Sequence, residues 1–292
     1  MNSNSRLPIG LFDSGMGGLT VLKALAQRLP GEDLLYLGDT ARLPYGTKGR
    51  DTIIRYTLKA AQKLVDMGVK MLVVACNTAT AAALPVLREH FAPLPVLGVV
   101  EPGAQAAAAA SRNGRIVVLA TEATINGGAY QQAIAHIRPE ATVLVRACNL
   151  FVPLAEEGWM NGPIVEGIAR RYLEGFFDAP EGENQGTDAT LPDTMLLGCT
   201  HYPLLQGALR EVVGPEVNIV DSAATTAEFV AEELARLHLL HPEDQLADNA
   251  TKKDRHGKSL FLTTDHVARF IRTGSLFLGR DMADGEVTLV DL

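Results

Sequence analysis

Short apolar runs alternate along this chain with longer amphipathic runs. The run at 70–76 and the run that starts at 195 and stops at Gly198 are almost continuously apolar and have the length of buried strands. The stretch at 50–68 instead repeats apolar residues every three or four positions, which predicts an amphipathic helix. Strands that alternate with helices predict βαβ units and a mostly parallel sheet.

The alternation passes through two similar cycles. A strand, a polar turn and a helix around Ile9 have the same layout as those around Ile116, and aligning the two places Ser14 over Thr121. In each cycle a later apolar strand is followed by a cysteine, small polar residues and a helix. The pattern predicts two similar α/β lobes, with a chance likeness of generic α/β units as the alternative.

Breaks in the pattern predict where elements end. A strand at 96–100 is expected to stop at Glu101-Pro102-Gly103, and an alanine-rich helix then starts the second cycle. Residues 178–193 and 241–257 are polar and lack the apolar content needed to bury themselves. We therefore predict that both are surface insertions.

The composition is that of a folded, acidic protein. Of the 292 residues 47% are hydrophobic, which is enough for the packed cores of roughly two domains. The net charge of −8 argues against a nucleic-acid groove, but a few backbone amides still allow an acidic small substrate. Neither a membrane helix of ~18 apolar residues nor a signal peptide is seen, so we expect a cytoplasmic protein without a membrane partner.

Three cysteines are present: Cys76, Cys148 and Cys199. An odd number in a reducing compartment argues against a disulfide framework, and no CxxC or HExxH spacing indicates a metal site. Cys148 is expected to be a small hydrophobic core residue. Cys76 and Cys199 follow apolar strands, precede polar residues that start a helix, and take matching places in the two cycles. These two are predicted to share one functional site.

The ends of the strands explain what such a site can do. Ligands of parallel sheets bind outside the carboxyl ends of the strands, where the first N–H groups of the next helix favour an anion. We expect such a helix start to lower the pKa of a thiol toward ~7. If the lobes face each other, one thiolate removes a proton while the other thiol delivers one to the opposite face of the same carbon. Paired cysteines therefore point to racemisation.

Asp13 and His201 are candidate helpers of this pair. Asp13 ends the first strand, where it either shuttles a proton near Cys76 or caps the glycine-rich turn that follows. His201 either orients the sulfur of Cys199 or is an ordinary histidine at the edge of the core. No lysine stands at the strand ends to bind pyridoxal phosphate, and the turn does not match the dinucleotide pattern, so no cofactor is expected.

The chain resembles the aspartate/glutamate racemase family along nearly its whole length, in the stretches GLFDSGMGGLTVL, YLGDTARLPYGTKG, VVACNTATA, GVVEPGA, FVPLAEEG and LLGCTHYPLL. The resemblance implies two flavodoxin-like parallel-sheet α/β domains related by pseudo-two-fold symmetry, with the active site in the cleft between them. The first domain would comprise 1–100 and 210–292, and the second 101–209. One departure is Cys148-Asn149, where the family usually has Cys-Pro.

The resemblance also implies cofactor-independent interconversion of L- and D-glutamate, which supplies D-glutamate for bacterial peptidoglycan. Cys76 would exchange the proton of the D-enantiomer with help from Asp13, and Cys199 that of the L-enantiomer with help from His201. Glu156 would orient the histidine, unless it is a solvated carboxylate at a helix start. The implied substrate-binding residues are Asp13, Ser14, Tyr45, Gly46, Asn77, Thr78, Thr121, Thr124, Thr200 and His201.

Glutamate is thus the expected small-molecule partner, and family habit suggests a homodimer. One alternative is a racemase of aspartate or another acidic amino acid, which would keep the same cysteine pair. The other is a catalytically idle binding or regulatory protein of the same fold. An idle site has no chemical need of Cys76, Cys199, Asp13 and His201 together, which argues against the second alternative.

Overall fold

The computed structural model describes residues 3–177, 191–245 and 257–292. Its strands are β1 (Ile9–Asp13), β2 (Leu34–Gly38), β3 (Met71–Val74), β4 (Val96–Gly98), β5 (Arg115–Ala120), β6 (Thr142–Ala147), β7 (Thr194–Gly198), β8 (Asn218–Asp221), β9 (Ser259–Thr263) and β10 (Val287–Leu289). Most of the two predicted insertions, at 178–190 and 246–256, lies outside the described residues.

Helices connect these strands. The α-helices are α1 (Leu19–Arg28), α2 (Arg50–Asp66), α3 (Asn77–His90), α4 (Val100–Ala110), α5 (Glu122–Gly127), α6 (Ala129–Ile137), α7 (Phe151–Glu156), α8 (Pro163–Leu173), α9 (Gln206–Val213), α10 (Ser222–Arg236), α11 (Pro242–Gln245) and α12 (Val267–Leu278). Short 3₁₀ helices cover Ser3–Arg6, Thr40–Arg42, Tyr45–Thr47 and Tyr202–Leu205.

The first sheet takes its strands from both ends of the chain. Its order is β10-β9-β2-β1-β3-β4, and all neighbouring strands are parallel. β1 lies inside the sheet, where Phe12 is in register with Leu37 of β2 and Val74 of β3. Every residue of β1 is buried, as expected for a strand of a parallel sheet that is covered on both faces.

The second sheet repeats the topology of the first. It runs β6-β5-β7-β8 and is again parallel throughout. Numbered from its own first strand, this order is 2-1-3-4, which is also the order of β2-β1-β3-β4 and matches the flavodoxin-like pattern. The predicted fold class, two similar parallel-sheet α/β units, is confirmed.

We call β1–β4, β9 and β10 with α1–α3 and α12 the first unit, and β5–β8 with α4–α9 the second unit. β8 pairs with β7, so the second sheet extends past the predicted domain limit at residue 209. The chain then passes into α10, which packs against both α1 and α4. The domain limits stay a prediction, and the position of β8 favours a limit after Asp221.

The start of α4 differs from the prediction. The strand β4 ends at Gly98, and α4 begins at Val100, so Glu101-Pro102-Gly103 lies inside the first turns of the helix. Proline is tolerated in a first helical turn, because the N–H group that it lacks would have no helical partner there. Pro102-Gly103, which was expected to follow the end of a strand, therefore lies in the first turns of α4 instead.

Both sheets reverse their strand order next to their first strand. In open parallel sheets the ligand lies outside the carboxyl ends of the strands at this reversal. Asp13 and Cys76 stand at the ends of β1 and β3 in the first sheet, and Thr121 and Cys199 follow β5 and β7 in the second. Each unit thus presents one cysteine at the point where a ligand is expected.

Candidate active site

A small cavity lies where the carboxyl ends of the two sheets meet. Its lining comes from both units and includes Cys76 and Cys199, which are only 5% and 6% exposed. The cavity volume of about 30 Å³ gives room for about one water molecule. The cleft between the units is therefore shut in this structure.

The structure brings the predicted site residues together around this cavity. The lining contains Ser14, Tyr45, Gly46, Cys76, Asn77, Thr78, Thr121, Cys199, Thr200 and His201. Asp13 and Thr124 lie behind the lining. The Oδ2 atom of Asp13 accepts a hydrogen bond from the N–H of Gly15 at 2.8 Å, and Oγ1 of Thr124 lies 2.9 Å from Oγ1 of Thr121.

Cys76 is the N-cap residue of α3. Its Sγ accepts a hydrogen bond from the N–H of Ala79 at 3.4 Å, and its thiol donates to Oγ of Ser14 at 3.4 Å. Burial, followed by the charge of Asp13, raises the pKa of Cys76 to about 12. The expectation that the helix start lowers this pKa is wrong, because desolvation of a thiolate outweighs a few N–H dipoles in a buried site.

Two buried oxygens near Cys76, Oδ1 of Asp13 and Oδ1 of Asn77, have no hydrogen-bond partner among the described residues. Burial raises the pKa of Asp13, although the charge of His201 and nearby backbone N–H groups oppose this. The amide nitrogen of Asn77 donates to the hydroxyl of Tyr130 at 2.6 Å, which leaves its oxygen free to accept. Unpaired buried acceptors are rare, so these two indicate a place for a ligand's donor groups.

Cys199 directly follows β7 and has different neighbours. Its Sγ lies 3.8 Å from Nδ1 of His201, and Nε2 of the same ring lies 3.3 Å from Oε1 of Glu156. The other carboxylate oxygen of Glu156 accepts a hydrogen bond from Nη2 of Arg269 at 3.1 Å. Sulfur, imidazole, carboxylate and guanidinium thus form a chain from the cavity to the protein surface.

The charges along this chain support one another. Burial by itself lowers the pKa of His201, but the hydrogen bonds and charges of Cys199 and Glu156 outweigh burial and raise that pKa to about 10. Burial raises the pKa of Glu156, but His201 and Arg269 more than offset it, so the pKa lies below its ordinary value. At neutral pH the ring is therefore protonated and the carboxylate ionised. The positive ring of His201 thus lies beside Sγ of Cys199.

The two units touch closely on the other side of the cavity. Oγ1 of Thr78 in α3 lies 2.9 Å from Oγ1 of Thr121 and 3.2 Å from Oγ1 of Thr124. Gly46 packs so tightly against Thr121 that an added Cβ would lie 2.7 Å from the Cβ of that threonine. The absence of a side chain at Gly46 thus allows the cleft to close to this extent.

Some neighbours of the site are not foreseen from the sequence. Arg269 and Phe277, whose ring packs against that of His201 at 5.0 Å, both come from α12. In the sequence, the segment that contains α12 shows only the pattern of a strand followed by a helix. No local signal in it indicates a contact with the strand ends of the site. Glu156 contacts His201, as the first of its two interpretations has it, and is not a solvated carboxylate at a helix start.

Tyr45 lines the cavity, whereas Cys148 lies outside the lining. The hydroxyl of Tyr45 donates to Oδ2 of Asp39 at 2.6 Å, so it holds its own loop in place. Cys148 is fully buried and absent from the cavity lining, and its carbonyl accepts from the hydroxyl of Tyr202 at 2.9 Å. Tyr45 therefore borders the cavity with its hydroxyl already bound, and Cys148 supports the site from behind.

Neither a metal cluster nor a membrane span is found in the described part of the chain. Within residues 3–177, 191–245 and 257–292, no group of three or more His, Cys, Asp or Glu side chains is arranged to hold a metal ion. No helix in these same ranges is long and apolar enough to cross a membrane.

Fold and site together define an α/β protein of two similar parallel-sheet units, with a cavity between their carboxyl ends and one cysteine from each unit in its lining. Residues 12–230 match the family model described as Asp/Glu/Hydantoin racemase. The chain belongs to this racemase family.

Similar proteins cover nearly the whole chain. A glutamate racemase of Geobacter metallireducens is 48% identical over 276 residues, which is 94% of each protein. The solved structure of glutamate racemase from Francisella tularensis in complex with D-glutamate has a TM-score of 0.83 at 33% identity and covers 98% of both chains. That of glutamate racemase from Thermus thermophilus in complex with β-chloro-D-alanine has a TM-score of 0.81 at 40% identity and covers 99% of both. The prediction of an amino-acid racemase, an isomerase, is confirmed.

Proposed function

We propose that this protein interconverts L- and D-glutamate with two thiols and no cofactor. The observation that carries the proposal is that Cys76 and Cys199 reach one cavity from equivalent positions, each after the third strand of its unit. Removal of the α-proton on one face and delivery of a proton on the other inverts the carbon. The similarity to glutamate racemases, at 48% identity for the Geobacter protein, supports glutamate as the substrate.

The protonation states favour one starting point for the reaction. Cys76, with a pKa of about 12, is a thiol and can donate a proton. Cys199 lies against the positive ring of His201, and we assign it the role of the base that removes the α-proton of L-glutamate. L-glutamate would lose its α-proton to Cys199 and gain one from Cys76, and D-glutamate would react from the opposite pair of states. Asp13, buried with a raised pKa, is suited to relay protons to and from Cys76.

The groups around the cavity suit an acidic amino acid. The free Oδ1 of Asn77 can accept a hydrogen bond from the substrate ammonium. The hydroxyls of Thr78, Thr121 and Thr124 lie within 3.2 Å of one another and can turn to donate to a carboxylate. The first N–H groups of α3 add further donors for an anion. The other proposed substrate contacts are Ser14, Tyr45, Gly46, Thr200 and His201.

Substrate entry requires a change of shape. A cavity of about 30 Å³ cannot hold an amino acid, so the two units must separate and close again around it. Closure excludes water from the carbanion-like intermediate and strengthens the electrostatic interactions that stabilise it. Closure of the units is therefore part of the proposed catalytic cycle.

The test is circular dichroism of the purified protein with L-glutamate, D-glutamate, L-aspartate and D-aspartate, with no cofactor added. Both glutamate signals should decay to zero, while the aspartate signals persist. Decay of the aspartate signals instead would favour the sister activity, and no decay at all would favour an idle binding protein. Dialysis against a chelator should leave the activity unchanged. A complete loss that metal restores would contradict the cofactor-free mechanism.

The biological role we propose is supply of D-glutamate for peptidoglycan in the bacterial cytoplasm. A bacterial strain that needs external D-glutamate should grow without it when it expresses this protein. Expression of a Cys76→Ser variant should not restore growth. The homodimer expected from the family stays a prediction, which analytical ultracentrifugation with and without glutamate would test.

A further inference from the structure

The Cys199 side of the cleft contains a charge that the proposed reaction does not use. Arg269, in the first turn of α12, donates from Nη2 to Oε2 of Glu156 at 3.1 Å. α12 packs on α1 and β10 of the first unit, whereas Glu156 ends α7, which packs on the 3₁₀ helix that follows His201 in the second unit. This ion pair therefore joins the two units beside the reactive sulfur.

We propose that Arg269 is a positioning residue for Cys199: it keeps the carboxylate of Glu156 aimed at His201 when the two units are closed. The inference rests on the two-thiol function proposed above. The effect should be confined to the Cys199 side. The hydrogen-bond partners of Cys76 are Ser14 and Ala79, and both belong to the first unit, as Cys76 itself does. Closure of the cleft would thus prepare the Cys199 side for reaction.

The geometry explains why Glu156 needs a second partner. Its carboxylate is only 12% exposed and binds His201 through one oxygen and Arg269 through the other, so it cannot rotate without breaking both contacts. Without the guanidinium, the second oxygen has no charged partner and the carboxylate is free to turn toward solvent. His201 would then lose the group that fixes its ring, and partners of this kind commonly decide how well a reactive group is oriented.

Racemisation rates alone cannot reveal a one-sided role. The two enantiomers have equal free energies, so the values of kcat/KM in the two directions must stay equal in every variant. Elimination of HCl from a β-chloro analogue of glutamate avoids this limit. One thiolate removes the α-proton, the electron pair of that bond forms the Cα=Cβ double bond, and chloride leaves. Water then converts the enamine to the 2-oxo acid and ammonia, and the ammonia is measured.

Arg269→Gln should slow elimination from the L-enantiomer about two- to fivefold, the range expected for a half-exposed ion pair, and leave the D-enantiomer unchanged. Arg269→Lys keeps the charge and should recover most of the L-rate. Arg272→Gln, on the exposed face of the same helix, is the matched control and should equal the parent protein with both enantiomers. An unchanged L-rate, equal slowing of both enantiomers, or no recovery with lysine would overturn the proposal.

Cys199→Ser separates this inference from the function on which it rests. If that variant still eliminates HCl from the L-enantiomer, the assignment of the two thiols is wrong, and the role of Arg269 is wrong with it. If it loses the L-reaction while Arg269→Gln keeps the full L-rate, only the role of Arg269 is contradicted. Thermal melts of each variant would show that the protein compared in these assays is folded.

Discussion

The two cysteines stand at equivalent points of the same topology but have opposite surroundings. Cys76 caps the 14-residue helix α3 and lies near the buried carboxyl group of Asp13. Cys199 precedes a short 3₁₀ helix and lies against the imidazole of His201. Burial and the charge of Asp13 favour the thiol form of Cys76, whereas the neighbour of Cys199 is a positive imidazole.

Such a difference allows a repeated unit to serve a two-sided reaction. Inversion of a carbon needs an acid on one face and a base on the other at the same moment. Two identical environments would give two groups in the same protonation state. Here the repeated strand order provides the matching geometry, while neighbours that are not repeated give the two sulfurs different electrostatic surroundings.

Replacing one sulfur at a time should have the largest effect and tests whether the two cysteines act on opposite faces. Cys76→Ser and Cys199→Ser should each lower racemisation by about 10³-fold, because a serine hydroxyl is a far weaker acid and base near neutral pH. In HCl elimination, Cys76→Ser should still process the L-enantiomer and Cys199→Ser the D-enantiomer. Cys148→Ser is the control and should keep most of its activity. A mutant that processes both enantiomers equally would mean that one residue serves both faces.

Replacing the helper of each cysteine should sharpen the contrast. Asp13→Asn cannot relay a proton, and we expect it to slow HCl elimination from the D-enantiomer by about 10²-fold. His201→Asn should slow elimination from the L-enantiomer by a similar factor, because the sulfur loses its positive partner. Ammonia release from each separate enantiomer measures both effects. If Asp13→Asn instead slowed the L-enantiomer and His201→Asn the D-enantiomer, the assignment of each cysteine to its enantiomer would be reversed.

The pH dependence of stability should differ between the two sides. The pKa of His201 is about 10 in the folded protein and 6.5 without the protein environment, so its stabilising charge is fully present below pH 6.5 and is lost as the pH rises through 10. The free energy of unfolding of the parent protein should therefore fall by about 5 kcal/mol more than that of His201→Asn across this range. Urea titrations at several pH values measure this difference, and parallel curves for the two proteins would contradict it.

A change at the contact between the units should affect both sides alike. Gly46→Ala places a Cβ against Thr121, which should hinder closure and lower kcat/KM by about tenfold. HCl elimination from the L- and D-enantiomers should slow equally. Gly49→Ala is the matched control, since nothing lies within 4 Å of a Cβ at that position. A loss confined to one enantiomer would indicate that Gly46 serves one cysteine rather than closure.

Local patterns were sufficient to predict much of this molecule. The helix expected at 50–68 is α2 (Arg50–Asp66), and the apolar runs before Cys76 and Cys199 are β3 and β7. Strand and helix periodicities depend on neighbouring residues, so they can be read without knowing the fold. The internal repeat can also be found without the fold, because it only requires comparing two stretches of one sequence. That comparison indicated that Cys76 and Cys199 occupy equivalent places.

Long-range contacts decided the rest. β8 joined the second sheet beyond the expected limit because its pairing with β7 depends on how the chain returns. The raised pKa of Cys76 reverses the effect expected from the helix start, since desolvation depends on everything packed around the sulfur. Arg269 reached Glu156 only because the first and second units close on each other. Neighbouring residues along the chain were thus enough to show which side chains stand at the strand ends. Their charges and partners depended on the fold, because burial and contact between distant segments exist only in the folded chain.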